Sequence, residues 1–163
     1  MSHIIRLANP ADLPVLITMI RALSGVHNDT AAITDERLHE ILFGSGARAF
    51  ALIAEQDGMP VGYAGIIRIP TLHSGDDRFD IQHLFVSDGQ RSKGVGKALI
   101  AQARDIAKAA GAKGLTIGPA PQNTAAQATY RAMGYAEVTG VGPRFWIPCH
   151  DEARRVDRDP PRV

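Results

Sequence analysis

FDIQHLFVSDGQRSKGVGK, residues 79–97, reads as an apolar strand, a polar turn and the first turn of a helix. The strand is Phe79 to Val86. After the turn, Val95, Ala98, Leu99, Ala103, Ile106 and Ala107 recur at helical spacing until Gly111 stops the pattern. Gly94 and Gly96 fall where strand gives way to helix. A missing Cβ there lets backbone N–H groups come close to a ligand. The first amides of the helix have no intrahelical acceptor and lie at the positive end of its dipole. The segment therefore predicts an anion site. A phosphate loop needs Gly, four residues, then Gly-Lys-Ser/Thr; Gly89 and Gly94 have the spacing, but Val95 and Gly96 follow. A dinucleotide fingerprint needs a third glycine where Leu99 stands.

Upstream, His3 to Leu7 predicts a strand, and Asn9-Pro10 predicts the cap and first residue of a helix with Leu13, Leu16, Ile17 and Ile20 on one face. Thr34 caps a second, short helix with Asp35 and Glu36 in its first turn and Leu38, Ile41 and Leu42 on its apolar face, ending at Gly44. Residues 49–69 read as an antiparallel hairpin turning at Asp57-Gly58, and Pro70 to Arg78 as a loop. Downstream, Gly114 to Gly118 predicts a strand, Gln122 to Met133 a helix stopped by Gly134, and Tyr135–Thr139 with Arg144–Ile147 a closing strand pair. Residues 3–149 are expected to form one α/β domain around a mixed sheet, and the charged, proline-rich residues 150–163 a tail.

At 163 residues and 45% hydrophobic content the chain is long enough to bury a core without staples. Eighteen basic residues against seventeen acidic ones, a net charge of +1, do not advertise a nucleic acid or a membrane as partner. The lone Cys149 cannot form an internal disulfide, and MSHIIRLANP lacks the apolar stretch of a signal peptide, so a cytoplasmic protein is expected. His27, His39, His73 and His83 have no metal-ligand spacing, and no metal is expected.

Arg91-x-x-Gly94-x-Gly96 on a strand-to-helix turn resembles the signature of the GNAT superfamily of N-acetyltransferases. The resemblance extends upstream to Leu84-Phe85-Val86 and downstream to Asn123, Ala126, Tyr130 and Gly134-Tyr135, covering roughly the second half of the chain. It implies a central mixed β-sheet, flanked by helices, that splays at the strand ending in Val86. It also implies acetyl-CoA as co-substrate, lying in the resulting cleft. Leu84, Phe85 and Val86 would pair with the pantetheine arm. Arg91, Ser92, Lys93, Gly94, Val95, Gly96 and Lys97 would hold the pyrophosphate, and Asn123 would contribute to the same site.

Transfer of an acyl group to an amine requires a neutral nitrogen, a polarised carbonyl and a proton for the departing thiolate. The resemblance gives the last role to Tyr130. For the base, period-two alternation sets Asp80, Gln82 and Leu84 on one face and Ile81, His83 and Phe85 on the other. Asp80 leads because Gln82 cannot accept the proton, with His83 and bulk water as alternatives. The resemblance implies an acceptor pocket around residues 23–33 and 70–78, and Asp29, Asp76, Asp77 and Asp80 would offer counter-charges to a small amine. In the first half, Thr34-x-x-x-Leu38-x-x-x-Leu42-Phe43-Gly44 followed by the apolar hairpin resembles the diamine and thialysine acetyltransferase branch. A homodimer with its seam at Phe145-Trp146 is expected. The competing reading is a non-catalytic acyl-CoA-binding or regulatory module.

Overall fold

The structure is a computed structural model that describes residues 3–26 and 30–138. The chain parts into two compact units between Gly118 and Pro119.

The first unit holds a five-stranded sheet in chain order: β1 (Ile4–Leu7), β2 (Ala49–Gln56), β3 (Met59–Pro70), β4 (Asp77–Val86) and β5 (Leu115–Ile117). The first three pairings are antiparallel and the last is parallel, so the sheet is mixed, as the α/β reading anticipated. Local sequence chemistry sets the turns. Asn9 caps a short 3-10 turn, Pro10–Asp12, which runs into α1 (Leu13–Val26). The Thr34 side chain accepts from Arg37 N–H at the start of α2 (Asp35–Phe43). Asp57 and Gly58 both take positive φ, 52° and 76°, the twist that a two-residue hairpin requires.

Alternation along the strands divides the core. Ala51, Ile53 and Tyr63 face α1 and α2, packing with Leu16, Ile17, Met19, Ile20 and Leu38. Leu52, Ala54 and Ala64 face the other way, where α3 (Val95–Ala109) packs on β2, β3 and β4 and buries Val95, Leu99 and Ala103. Each fully buried Leu or Ile contributes about 1.5–3 kcal/mol. Both layers therefore pack on β4.

Three expectations are corrected here. β3 runs on to Pro70 and β4 begins at Asp77, because the Arg68–Asp77 ion pair continues the ladder into what reads as a loop. The expected strand Gly114–Gly118 narrows to Leu115–Ile117. The third concerns the faces of β4. Gly65 pairs with His83, but the next residue, Ile66, pairs with Ile81, leaving Gln82 as an inserted bulge residue. Phe79 and Ile81 therefore share a face with Leu84 and Val86, and Asp80 shares the opposite face with His83 and Phe85.

In the second unit, α4 (Thr124–Ala132) is capped by Asn123, whose side-chain oxygen accepts from Ala126 N–H at 3.1 Å, and Gly134 follows at φ 80°. No strand is described over residues 135–138, and the remainder of the expected closing pair, Phe145, Trp146, Cys149 and the tail all lie outside the described residues.

Candidate active site

Beyond the bulge, β4 presents a backbone edge that no described strand pairs with. Ser87 N–H donates to Val61 O at 3.0 Å, making these a bonded antiparallel pair. The two-residue repeat makes Tyr63/Phe85 and Gly65/His83 bonded pairs too. Leu84 and Val86 lie between those rungs, so their N–H and C=O groups turn away from β3. On that outer side β5 reaches only Phe79, Asp80 and Ile81. Among the described residues, no strand pairs with that side of β4 after Ile81, leaving a strand edge able to bind an extended, amide-bearing ligand. Phe85 points from the same strand into the α1/α2 core, so it supports the edge by packing.

This edge leads directly into the turn before α3. Arg91 ties the two together, its Nε donating to Val86 O at 3.2 Å while its guanidinium pairs with Asp88 at 2.8 Å. Ser92 and Gly94 adopt left-handed backbone, φ 60° and 87°. Lys93 O lies 3.2 Å from His3 Nε2, anchoring the turn to β1's end. The first intrahelical bond of α3 is Ala98 N–H to Gly94 O, so the amides of Val95, Gly96 and Lys97 point forward without an intrahelical acceptor. A Cβ on Gly96 would lie 3.8 Å from both Leu84 and Val86 side chains, in ordinary contact. The two glycines should thus respond with opposite sign. Gly94→Ala is expected to destabilise the fold by about 1–2 kcal/mol, whereas Gly96→Ala should be neutral or gain up to about 1 kcal/mol from helix propensity. Urea midpoints of the two variants check this.

On the opposite face, α1, α2 and strands β2–β4 line a partly open cavity of about 170 Å³. Leu16, Ile20, Leu38, Leu42 and Ile67 form much of its wall, and Gln82 and His83 supply a polar end at the bulge. Tyr63 lines it too, with its hydroxyl 3.0 Å from His83 Nδ1 and the two rings edge to face. Burial pushes the Tyr63 phenol well above its ordinary range, so it stays protonated. The residues reading left this constellation unassembled, although Gly65, an isolated strand glycine, marks the bulge from across the ladder.

The acidic residues expected around the acceptor are engaged elsewhere. Asp80 accepts from the Thr116 hydroxyl of β5, Asp77 pairs with Arg68, and Asp76 lies 3.8 Å from Lys113. None of the three lines the cavity. Asp29 lies outside the described residues. In the second unit, Tyr130 is held against Tyr135, ring centroids 6.5 Å apart, and burial raises its phenol pKa. Among the described residues, no group of three or more His, Cys, Asp or Glu side chains is arranged to hold a metal, and no helix is long and apolar enough to cross a membrane.

A family model described as the acetyltransferase (GNAT) family matches residues 19–135. A Bacillus subtilis (strain 168) relative, named uncharacterized N-acetyltransferase YhfO, is 36% identical over 91 residues, 55% of this chain and 60% of the relative. The match thus spans less than two thirds of that protein's length. Among solved structures, an aminoglycoside acetyltransferase from an uncultured soil metagenomic sample, in complex with trehalose, aligns with a TM-score of 0.76 at 20% identity, covering 90% of this chain and 97% of that one. A ribosomal-protein-alanine N-acetyltransferase from Brucella melitensis biovar Abortus 2308 aligns at 0.70 and 22% identity, covering 89% and 100%. At such identities the structural likeness speaks for the fold alone.

Proposed function

The chain belongs to the acetyltransferase (GNAT) family, and from that premise we propose that it transfers an acetyl group from acetyl-CoA to the primary amine of a small molecule by direct attack. The observation that carries this reading is the open edge of β4 running into the left-handed turn of α3. The outward N–H and C=O of Leu84 and the outward N–H of Val86 suit the amides of a pantetheine arm, the Val86 carbonyl being held by Arg91. The amides of Val95, Gly96 and Lys97, with Ser92, Lys93 and Lys97 side chains nearby in sequence, suit a pyrophosphate. Arg91 both anchors the turn to Val86 and adds positive charge beside it. Asn123, as cap of α4, is proposed to act on the cofactor side through the helix start that it organises. The protein is taken as a cytoplasmic homodimer whose partner is a small amine rather than a nucleic acid or a membrane.

Acetyl-CoA, when bound, supplies an acyl group activated as a thioester. The chain's part is to orient it, polarise its carbonyl through a backbone amide of the Leu84–Val86 edge, and manage two protons. Tyr130 is the proposed donor to the departing sulfur. For the amine's proton, Asp80 and His83 share one face of β4. His83 lines the cavity, whereas Asp80 holds one carboxylate oxygen against Thr116.

The test is heat stability with and without acetyl-CoA, followed by thiol release with added amine in wild type, Asp80→Asn and His83→Gln. Acetyl-CoA is expected to raise the melting temperature, and loss of the true base to lower turnover about 10²- to 10⁴-fold with removal of the acidic limb of the pH profile. Stabilisation without turnover would favour the binding-module reading, and no stabilisation would sink both.

A further inference from the structure

The cavity between α1, α2 and the sheet has a composition that restricts what it can accept. Leu16, Ile20, Leu38, Leu42 and Ile67 are apolar, and every polar lining group (Tyr63, Gln82 and His83) sits toward β4. Among the described residues that line it, none bears a formal negative charge. A second ammonium group carried into this space would be desolvated without a partner, which disfavours it strongly. Of the four carboxylates expected to receive one, Asp76, Asp77 and Asp80 are turned to Lys113, Arg68 and Thr116 and are not among the lining residues, and Asp29 lies outside the described residues. The volume, about 170 Å³, is close to that of cavities known to take one benzene-sized group, ~150 Å³. The polar end adjoins Leu84, whose backbone faces the open edge of the strand.

We propose that the acceptor is a primary monoamine with one compact apolar body, a phenyl ring or a branched or cyclic aliphatic group, seated between α1, α2 and β3 with its nitrogen at the Gln82–His83 bulge. This rests on the acetyltransferase reading and deepens it. It departs from the diamines implied by the sequence resemblance, because a polyamine or an aminoglycoside brings several charges and the described lining of the cavity offers none to match. Selectivity then comes from apolar fit, while the hydrogen bond from Tyr63 fixes the ring of His83 at the mouth.

Gly65 gives the means to test it, since it lines the cavity and a Cβ there meets nothing closer than His83 Cβ at 3.5 Å. Valine at this position grows into the cavity, and alanine is the gentler companion should valine perturb folding. Wild type, Gly65→Val and Gly65→Ala are compared by kcat/KM for benzylamine, cyclohexylmethylamine, putrescine, spermidine and an aminoglycoside. Binding of benzylamine to the protein alone is followed in parallel by calorimetry. The monoamines are expected to exceed the polyamines at least tenfold. Gly65→Val should raise the benzylamine KM or Kd about tenfold and Gly65→Ala severalfold, with the KM for acetyl-CoA unchanged. Equal or better use of spermidine, putrescine or the aminoglycoside overturns the proposal and leaves the acetyltransferase reading standing. So does an unchanged benzylamine affinity in both Gly65 variants. Failure of acetyl-CoA to bind overturns the acetyltransferase reading instead, while benzylamine calorimetry still reports on the cavity.

Discussion

Tyr130→Phe is expected to slow thiol release about 10²-fold or more while acetyl-CoA affinity stays within about twofold of wild type. The argument starts from the leaving group. A thiolate departing from a thioester into a site shielded from water needs a donor, and a phenol meets that need without changing charge beforehand. Tyr130 lies in the last turns of α4, beside Tyr135, where burial raises its pKa. The sign matters. A raised pKa keeps the hydroxyl neutral and donor-competent throughout the physiological range, and the loss of that form is displaced above the ordinary phenol value, about 10. Any alkaline limb due to Tyr130 should therefore fall above about pH 10 and vanish in the phenylalanine variant. The same raised pKa makes the phenol a weaker acid, so its contribution comes through a charge-assisted hydrogen bond as much as through full proton transfer, which sets the effect toward the lower end of the general-acid range. Because phenylalanine preserves the ring against Tyr135, a change in kcat without a change in melting temperature separates chemistry from packing. Thiol release within about threefold of wild type would remove Tyr130 from the mechanism.

How much of this was legible in the sequence differs by the range of the interaction. Thr34, Asp57-Gly58 and Gly134 act on their own neighbourhoods, through caps and positive φ, and each was readable where it stands, whereas the helix expected from Gln122 starts at Thr124 because Asn123 caps it. The strand-turn-helix from Phe79 to Lys97 was readable for the same reason. The bulge at Gln82 was not, because one extra residue leaves the pattern Asp80-Ile81-Gln82-His83 looking like plain alternation. Register is decided across the ladder, where Gly65 on β3 has no side chain to oppose. That single residue exchanges the faces of Asp80 and Ile81 and brings Asp80 onto the side of His83. The cavity was hidden by a related cause. Leu16, Ile20, Leu38 and Leu42 read as ordinary apolar helix faces, and the space left between them depends on how those faces meet. A third feature hidden from local reading is the contact between Arg6 and residues at both short and long separation, and it carries the largest stability effect expected in the fold.

Asp12→Ala should destabilise the protein by about 2–3 kcal/mol, lowering the melting temperature by about 5–10 °C for a chain of this size. Among the described residues, Asp12 is the one charged residue that is buried, at 8% exposure. Both of its carboxylate oxygens receive hydrogen bonds from Arg6, at 2.7 and 2.8 Å, and one also accepts from Asn9 N–H at 2.8 Å, completing the cap before α1. Arg6 in turn reaches Glu55 on β2 at 2.6 Å. The cluster thereby joins β1, β2 and the start of α1, and removing Asp12 leaves both a cap donor and a half-paired guanidinium. Glu55→Gln should cost less, since the bidentate pair with Asp12 survives. The Arg6 guanidinium holds the Asp12 carboxyl below its usual range. A depressed folded-state pKa contributes stability that is present in full above the unfolded value, about 3.9, and is lost as the pH falls through the folded value. Urea unfolding at pH 7 and at steps from pH 5 down to 2 should therefore show a wild-type advantage over Asp12→Ala that is constant at first and narrows below about pH 4. A gap that stayed constant to pH 2 would mean that Asp12 acts through packing and the cap alone, with its charge contributing nothing.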